Sequence, residues 1–262
     1  MDTPQLMMMG VVVVSLLIIR KMVYLAPGVM RRNTRLSLAL FLTYVLCLTA
    51  IVVVLPRWSA VSVRSDSLAL LFYLLLNTSC LLLMHGAFQW CGISLRDDAV
   101  ERGNPAVGIV AAAQAIAATW CIAGSNIGEG PGPEAVVFCL LLSNGTLLAL
   151  WLVLDGATGV SDTLTIERDV QAGVRISAWF IATGAVLGAS VGGDWDSYEG
   201  TLRDLGRFAW PVTLLLLAMV FIERRFARVP TGRRAGWRDS AWIAAVVFTA
   251  GLAYAIRVGV QR

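Results

Sequence analysis

AVVFCLLLSNGTLLALWLVL, residues 135–154, runs for twenty positions without a charge. Coiled as an α-helix, a run of that length rises about 30 Å, the hydrocarbon thickness of a bilayer. Reading it as a membrane span decides the fold class, because the rest of the chain is built the same way. Hydrophobic residues are 58% of the sequence and charged residues 15%, with a mean hydropathy of +0.74. A soluble domain holds roughly 45–50% apolar and about 25% charged residues. The apolar excess falls in runs separated by short polar loops, so the expected fold is all-α, a polytopic integral membrane helical bundle.

Eight spans are expected, at about 6–23, 36–55, 67–91, 106–124, 135–154, 174–192, 207–223 and 240–258. The seventh is short unless it begins near Tyr198, and Pro211 would kink such a longer helix. No loop can hold a separate domain, so residues 1–262 read as one transmembrane domain. The first run has no basic residue before it and Arg20 and Lys21 after it, the reverse of a secretory signal. It reads as an uncleaved helix. Basic residues then set the orientation. Most of the 21 fall in alternate loops, around Arg20–Arg35, Arg96–Arg102, Arg168–Arg175 and Arg224–Arg238, which the positive-inside rule makes cytoplasmic. Both termini are then outside, in a plasma (inner) membrane. The net charge of +4 reflects these arginine clusters, which face anionic lipid headgroups rather than nucleic acid. The outer loops are acidic, with Glu129 and Glu134 in GSNIGEGPGPEA (124–135) and Asp194, Asp196, Glu199 and Asp204 around Trp195 and Tyr198.

Sequence features of catalysis are missing. There is no GxxxxGK[ST], GxSxG or HExxH, and the span cores lack Asp, Glu, Lys and Arg. Pumps and proton-coupled carriers keep an ionisable group at membrane depth. Asp155, Glu223 and Asp239 sit at cytoplasmic helix ends, where pairing with a neighbouring arginine is expected. The single histidine, His85, reads as a polar side chain bonded to a neighbouring helix. The five cysteines (Cys47, Cys80, Cys91, Cys121, Cys139) have no ligand spacing and read as small hydrophobes. Neither a cofactor nor a metal site is expected, and an enzyme is the least favoured class.

Two features are positive. Gly184, Gly188 and Gly192 form a doubled GxxxG, and Gly251, Ala255 and Gly259 repeat the spacing. Gly108 with Ala112, and Ala111 with Ala115, offer further small faces. Such faces let helices approach closely where lipid removes the usual hydrophobic gain, either within one chain or between copies. Second, polar clusters interrupt two leucine tracts: Asn77, Thr78 and Ser79 beside Cys80, and Ser143, Asn144 and Thr146 around Gly145. Both lie near mid-span, and their tracts align at an offset of about 66 residues. They are either interhelical hydrogen-bonding groups or a neutral midplane site between the third and fifth helices, where Gly145 would permit local unwinding.

The segment Met30–Trp90, MRRNTRLSLALFLTYVLCLTAIVVVLPRW followed by SLALLFYLLLNTSCLLLMHGAFQW, resembles a group of uncharacterised actinobacterial multi-pass proteins carried under a provisional transporter label. That resemblance implies seven helices and a cytoplasmic tail, whereas this chain has an eighth span after its Arg-rich loop. No site residue carries over. Two functions are therefore expected. The first is a non-catalytic membrane component, accessory or sensory, working through helix packing, its Arg-rich loops and a membrane-protein partner or second copy. The alternative is a facilitator or transporter of a small neutral or zwitterionic solute.

Overall fold

Inside a bilayer a backbone amide finds no water, so an apolar run satisfies its hydrogen bonds within its own helix. The computed structural model, which describes residues 34–227 and 236–261, follows that rule. The expected first span, 6–23, and Arg228, Arg233 and Arg234 lie outside the described residues. The long elements are α1 (Thr34–Trp58), α3 (Ser67–Trp90), α4 (Pro105–Ser125), α5 (Pro133–Thr158), α7 (Val170–Val191), α9 (Trp210–Ala227) and α10 (Trp237–Gln261). Between them lie α2 (Val61–Arg64), a π-helical turn (Leu95–Glu101), α6 (Val160–Thr165) and α8 (Tyr198–Phe208). No strand occurs among the described residues. Six of these helices are long and apolar enough to cross a membrane, or seven if the bent pair α8 and α9 is one span. The chain is a multi-pass helical membrane protein.

The expected seventh span, 207–223, needs correcting. Helix begins at Tyr198, as the longer alternative required, but breaks at Ala209 and bends by 46°. Pro211 stands just after the break, in the first turn of α9, where its missing N–H costs nothing. The α8 segment is amphipathic, with Glu199 and Arg203 paired at 2.9 Å on its exposed side.

Contacts fix the direction of each helix. Gly173 packs on Ala106, Gly184 on Ala117 and Gly188 on Trp120, so α7 runs parallel to α4. Gly251 meets Ala182 and Ser240 meets Arg175, so α10 runs parallel to α7. Gly108 against Leu36 and Gly128 N–H on the Trp58 carbonyl make α1 parallel to α4. Helices α3, α5 and α8–α9 run the opposite way, as Asn144 beside Cys80, Trp151 on the Cys91 carbonyl and Arg224 on the Ala157 carbonyl require. The result is a row of parallel helices, α1–α4–α7–α10, against a second row, α3–α5–α9. A two-helix unit thus recurs as α3–α4, α5–α7 and α8/α9–α10, at intervals of about 66 residues. The offset between the two polar clusters is one such interval. The second helix of each unit is parallel to that of the one before, so successive units keep the same orientation.

The glycine faces close the first row. A Cβ on Gly184 would lie 2.6 Å from the Ala117 backbone, and one on Gly188 would overlap the Trp120 carbonyl. Gly192 approaches Gly124 in the same interface, and Gly251 packs on Ala182 with Ala255 also buried. Four of these stripe residues therefore touch the adjoining helix of the same chain. Gly259 departs from the expectation: nothing lies within 4 Å of its would-be Cβ and it is exposed. The small-residue helices are the buried centre, with 72% of the apolar stretch of α4 and 83% of that of α7 buried, against 22–33% for the other long spans. Leucine-rich helices lie outside them, because lipid solvates leucine as well as protein does.

The ends of the bundle are chemically distinct. At one end Asn104 caps α4, accepting from Ala106 N at 3.0 Å and donating to the Leu164 carbonyl at 2.8 Å. Asp169 occupies the equivalent cap of α7. Close by is a charge pair that counting Arg175 among the cytoplasmic arginines missed. Arg175 and Glu223 are 2% and 5% exposed, joined by two hydrogen bonds of 2.7 and 2.8 Å. Arg175 also donates to Ser240 Oγ at 2.8 Å and stacks 4.4 Å over Phe226. Glu223 thus finds the arginine expected for it, but in the interior, where the pair ties α7, α9 and α10 together. We call this the Asn104 end and the opposite one the Glu129 end.

Candidate functional site

The polar clusters reach α4 through Asn77 and Ser143, and touch each other where Asn144 lies beside Cys80. Asn77, fully buried, makes a reciprocal amide pair with Asn126: each Nδ2 donates to the other's Oδ1, at 3.1 and 3.0 Å. Asn126 is the C-terminal cap of α4, and its Nδ2 also donates to the Ile122 carbonyl. Ser143 sits 3.4 Å from Ser125, and both hydroxyls bond carbonyls of their own helices, Cys139 and Cys121. Asn144 donates to the Leu140 carbonyl and toward Cys80 Sγ at 3.9 Å, while its Oδ1 is buried with no hydrogen-bond partner. A polar seam therefore joins α3, α4 and α5 through Asn77, Ser143 and Asn144.

Three further sequence candidates bond the backbone of their own helices. Thr78, Ser79 and Thr146 each donate to the carbonyl four residues back, at Leu74, Leu75 and Leu142. Gly145 is exposed, has nothing within 4 Å of its would-be Cβ, and lies in an unbroken α5. Local unwinding there is not observed. The partner that sequence reasoning missed is Asn126, hidden in a Gly/Pro-rich turn; its signal was an Asn at the end of a small-residue helix, a favoured capping position.

The depth of Asn126 creates a cavity. It is level with Asn77, ten residues below the start of α3, so α4 stops about 15 Å short of that end by helical rise. Above it lies a cavity of about 40 Å³, lined by Tyr73, Ser125, Asn126, Glu129, Val191 and Trp195 among others. At 10–15 Å³ each this holds about three waters. Its rim is two crossing turns: Gly193 N–H bonds the Ile127 carbonyl at 2.9 Å and Trp195 N–H the Glu129 carbonyl at 2.8 Å. Gly128 and Gly193 both have φ +109, and a Cβ on Gly128 would strike the Gly193 backbone, so only glycine fits the crossing. Glu129 accepts the Val61 N–H on both carboxylate oxygens and lies 3.6 Å from Arg64. Trp195 packs edge-on to Tyr198, which packs on Phe138.

Elsewhere, His85 joins α3 to α1 through Tyr44, whose Oη lies 2.6 Å from Nδ1, and Gln89 approaches Nε2 at 2.7 Å. That is the interhelical role expected of it. Among the described residues no group of three or more His, Cys, Asp or Glu is placed to hold a metal ion, and the five cysteines are free thiols.

The Asn pair sets a measurable expectation. Asn126→Leu strands both polar atoms of the buried Asn77 amide and should cost about 1–3 kcal/mol per orphaned group. Asn144→Leu removes an amide whose oxygen is already unpartnered, strands no reciprocal partner and should cost clearly less than Asn126→Leu. Denaturation of the purified variants in mild detergent checks the contrast, and equal effects would contradict it. Neither a protein-family model, nor a curated protein, nor a solved structure matches this chain, so its family is not assigned and the geometry above is what bears on its function.

Proposed function

We propose that this chain is a non-catalytic component of the plasma membrane, sensory or accessory in role, built as a rigid repeat scaffold. In this reading the chain has eight spans and both termini outside, the Glu129 end faces outward, and the arginines of the Asn104 end face cytoplasmic anionic headgroups. The observation that supports this role is how the polar seam spends its hydrogen bonds. Asn77 and Asn126 satisfy each other, and the serine hydroxyls bond carbonyls of their own helices. A transport site keeps its polar groups available to solute and sits on broken helices, whereas α3 and α5 are continuous here.

The second reading, a facilitator for a small neutral or zwitterionic solute, draws on the water-sized cavity whose floor is Asn126. Proteoliposomes separate the two. The scaffold reading expects no flux of small amides, polyols or neutral amino acids above protein-free liposomes. Saturable flux that Asn77→Leu abolishes, with the variant still folded, would establish the facilitator instead.

A further inference from the structure

We propose that the cavity at the Glu129 end binds a small cation, either a monovalent metal ion or the ammonium head of a primary amine. The electrostatics follow from the repeat. Because α4 and α7 are parallel, both carbonyl ends point the same way, and Ser125, Asn126, Val191 and Gly193 at those ends line the cavity. Each helix end carries about half a negative charge. Neither helix has a basic residue in its last turn to offset it, whereas α1, which ends nearby, has Arg57. The carbonyls of Ser125 and Asn126 accept no hydrogen bond among the described residues.

Side chains add to the same sign. Glu129 lines the cavity, Glu134 lies against Gly132 in its wall, and Asp194 Oδ1 accepts from Glu129 N. Among the described residues Arg64 is the cation paired at this rim, and Glu129 takes it. Arg64 and Val61 N–H both engage Glu129 Oε1, while Oε2 accepts from Val61 N–H alone and keeps a lone pair for a guest. Tyr73 is 6% exposed and lines the cavity, yet its hydroxyl makes no hydrogen bond among the described residues, so its oxygen is available as a neutral ligand. The Trp195 ring supplies an aromatic wall suited to a cation. Anions are repelled, and room for about three waters limits the guest to a compact charge.

This proposal goes beyond the scaffold reading and is tested by a different observable. Purified protein is melted in NaCl, KCl, ammonium chloride or methylammonium chloride, with N-methylglucamine chloride holding ionic strength constant. A saturable rise in melting temperature is expected with at least one small cation and none with N-methylglucamine. A rise with Na⁺ or K⁺ alone assigns a metal ion; a rise confined to ammonium and methylammonium assigns an amine head. Glu129→Gln should weaken the midpoint at least tenfold and Tyr73→Phe several-fold, while Glu199→Gln, on the exposed side of α8, leaves it unchanged. If Glu129→Gln fails to fold, Tyr73→Phe decides. No saturable shift in folded wild-type protein, or wild-type midpoints in the cavity variants, overturns the proposal. Solute flux, which decides the scaffold reading, leaves this result untouched.

Discussion

Glu223→Leu should destabilise the folded protein by about 3–5 kcal/mol, because it leaves the Arg175 guanidinium buried without its counter-charge. At roughly 2–4 °C per kcal/mol, the melting temperature falls by on the order of 10 °C. The double variant Arg175→Met/Glu223→Leu should recover most of that loss. Two apolar side chains of similar volume fill the same space without any charge to desolvate. Arg175→Met alone should resemble Glu223→Leu, since a buried carboxylate is stranded instead. The effect should also resist added salt, because a pair only 2–5% exposed is screened little. Equal destabilisation of single and double variants would mean that the site needs the charges themselves. A single-variant effect under about 0.5 kcal/mol would mean that the pair is not closed in the membrane-embedded protein.

That pair also marks where the sequence was legible and where it was not. Spans 36–55, 67–91, 106–124, 135–154, 174–192 and 240–258 each fall on an observed helix, because a long apolar run admits one solution in a bilayer. Packing faces were legible too: Gly184, Gly188 and Gly251 touch neighbouring backbone as their spacing implied. Spacing alone cannot say where a neighbouring helix ends, which is why Gly259, one turn beyond Ala255, has no neighbour. Arg175 read as a solvated cation at the cytoplasmic edge of span 174–192, because a cation near a helix start usually is. Its burial depends on Glu223, 48 residues away, a contact that one-dimensional pattern does not encode. The same holds for Asn77, whose partner Asn126 comes from a turn that reads as solvent-exposed. The repeat lies between these cases. Leucine tracts hinted at its period, and the parallel packing of α4 on α1, α7 on α4 and α10 on α7 gives that period a physical meaning.

Gly188→Ala should be more damaging than its one added methyl group suggests. The new Cβ overlaps the Trp120 carbonyl, and backbone cannot rotate away as a side chain can. Relief requires α7 to move off α4, at the most buried interface of the bundle, where Gly124 already lies against the Gly188 backbone. Ordinary overpacking costs about 1–3 kcal/mol. Here the expected loss is at the top of that range for Ala, and Gly188→Leu should leave little folded, monodisperse protein after extraction. Gly145→Leu and Gly259→Leu meet open space and should stay within about 0.5 kcal/mol of wild type. Size-exclusion profiles and detergent unfolding of the four variants measure this directly. The set also separates the two uses of a GxxxG stripe. If the stripe held copies of the chain together, Gly188→Leu would dissociate an oligomer and leave each protomer folded. Since its contacts lie between α7 and α4 of one chain, the protomer itself should fail, and with it the alignment of helix ends that surrounds the Glu129 cavity.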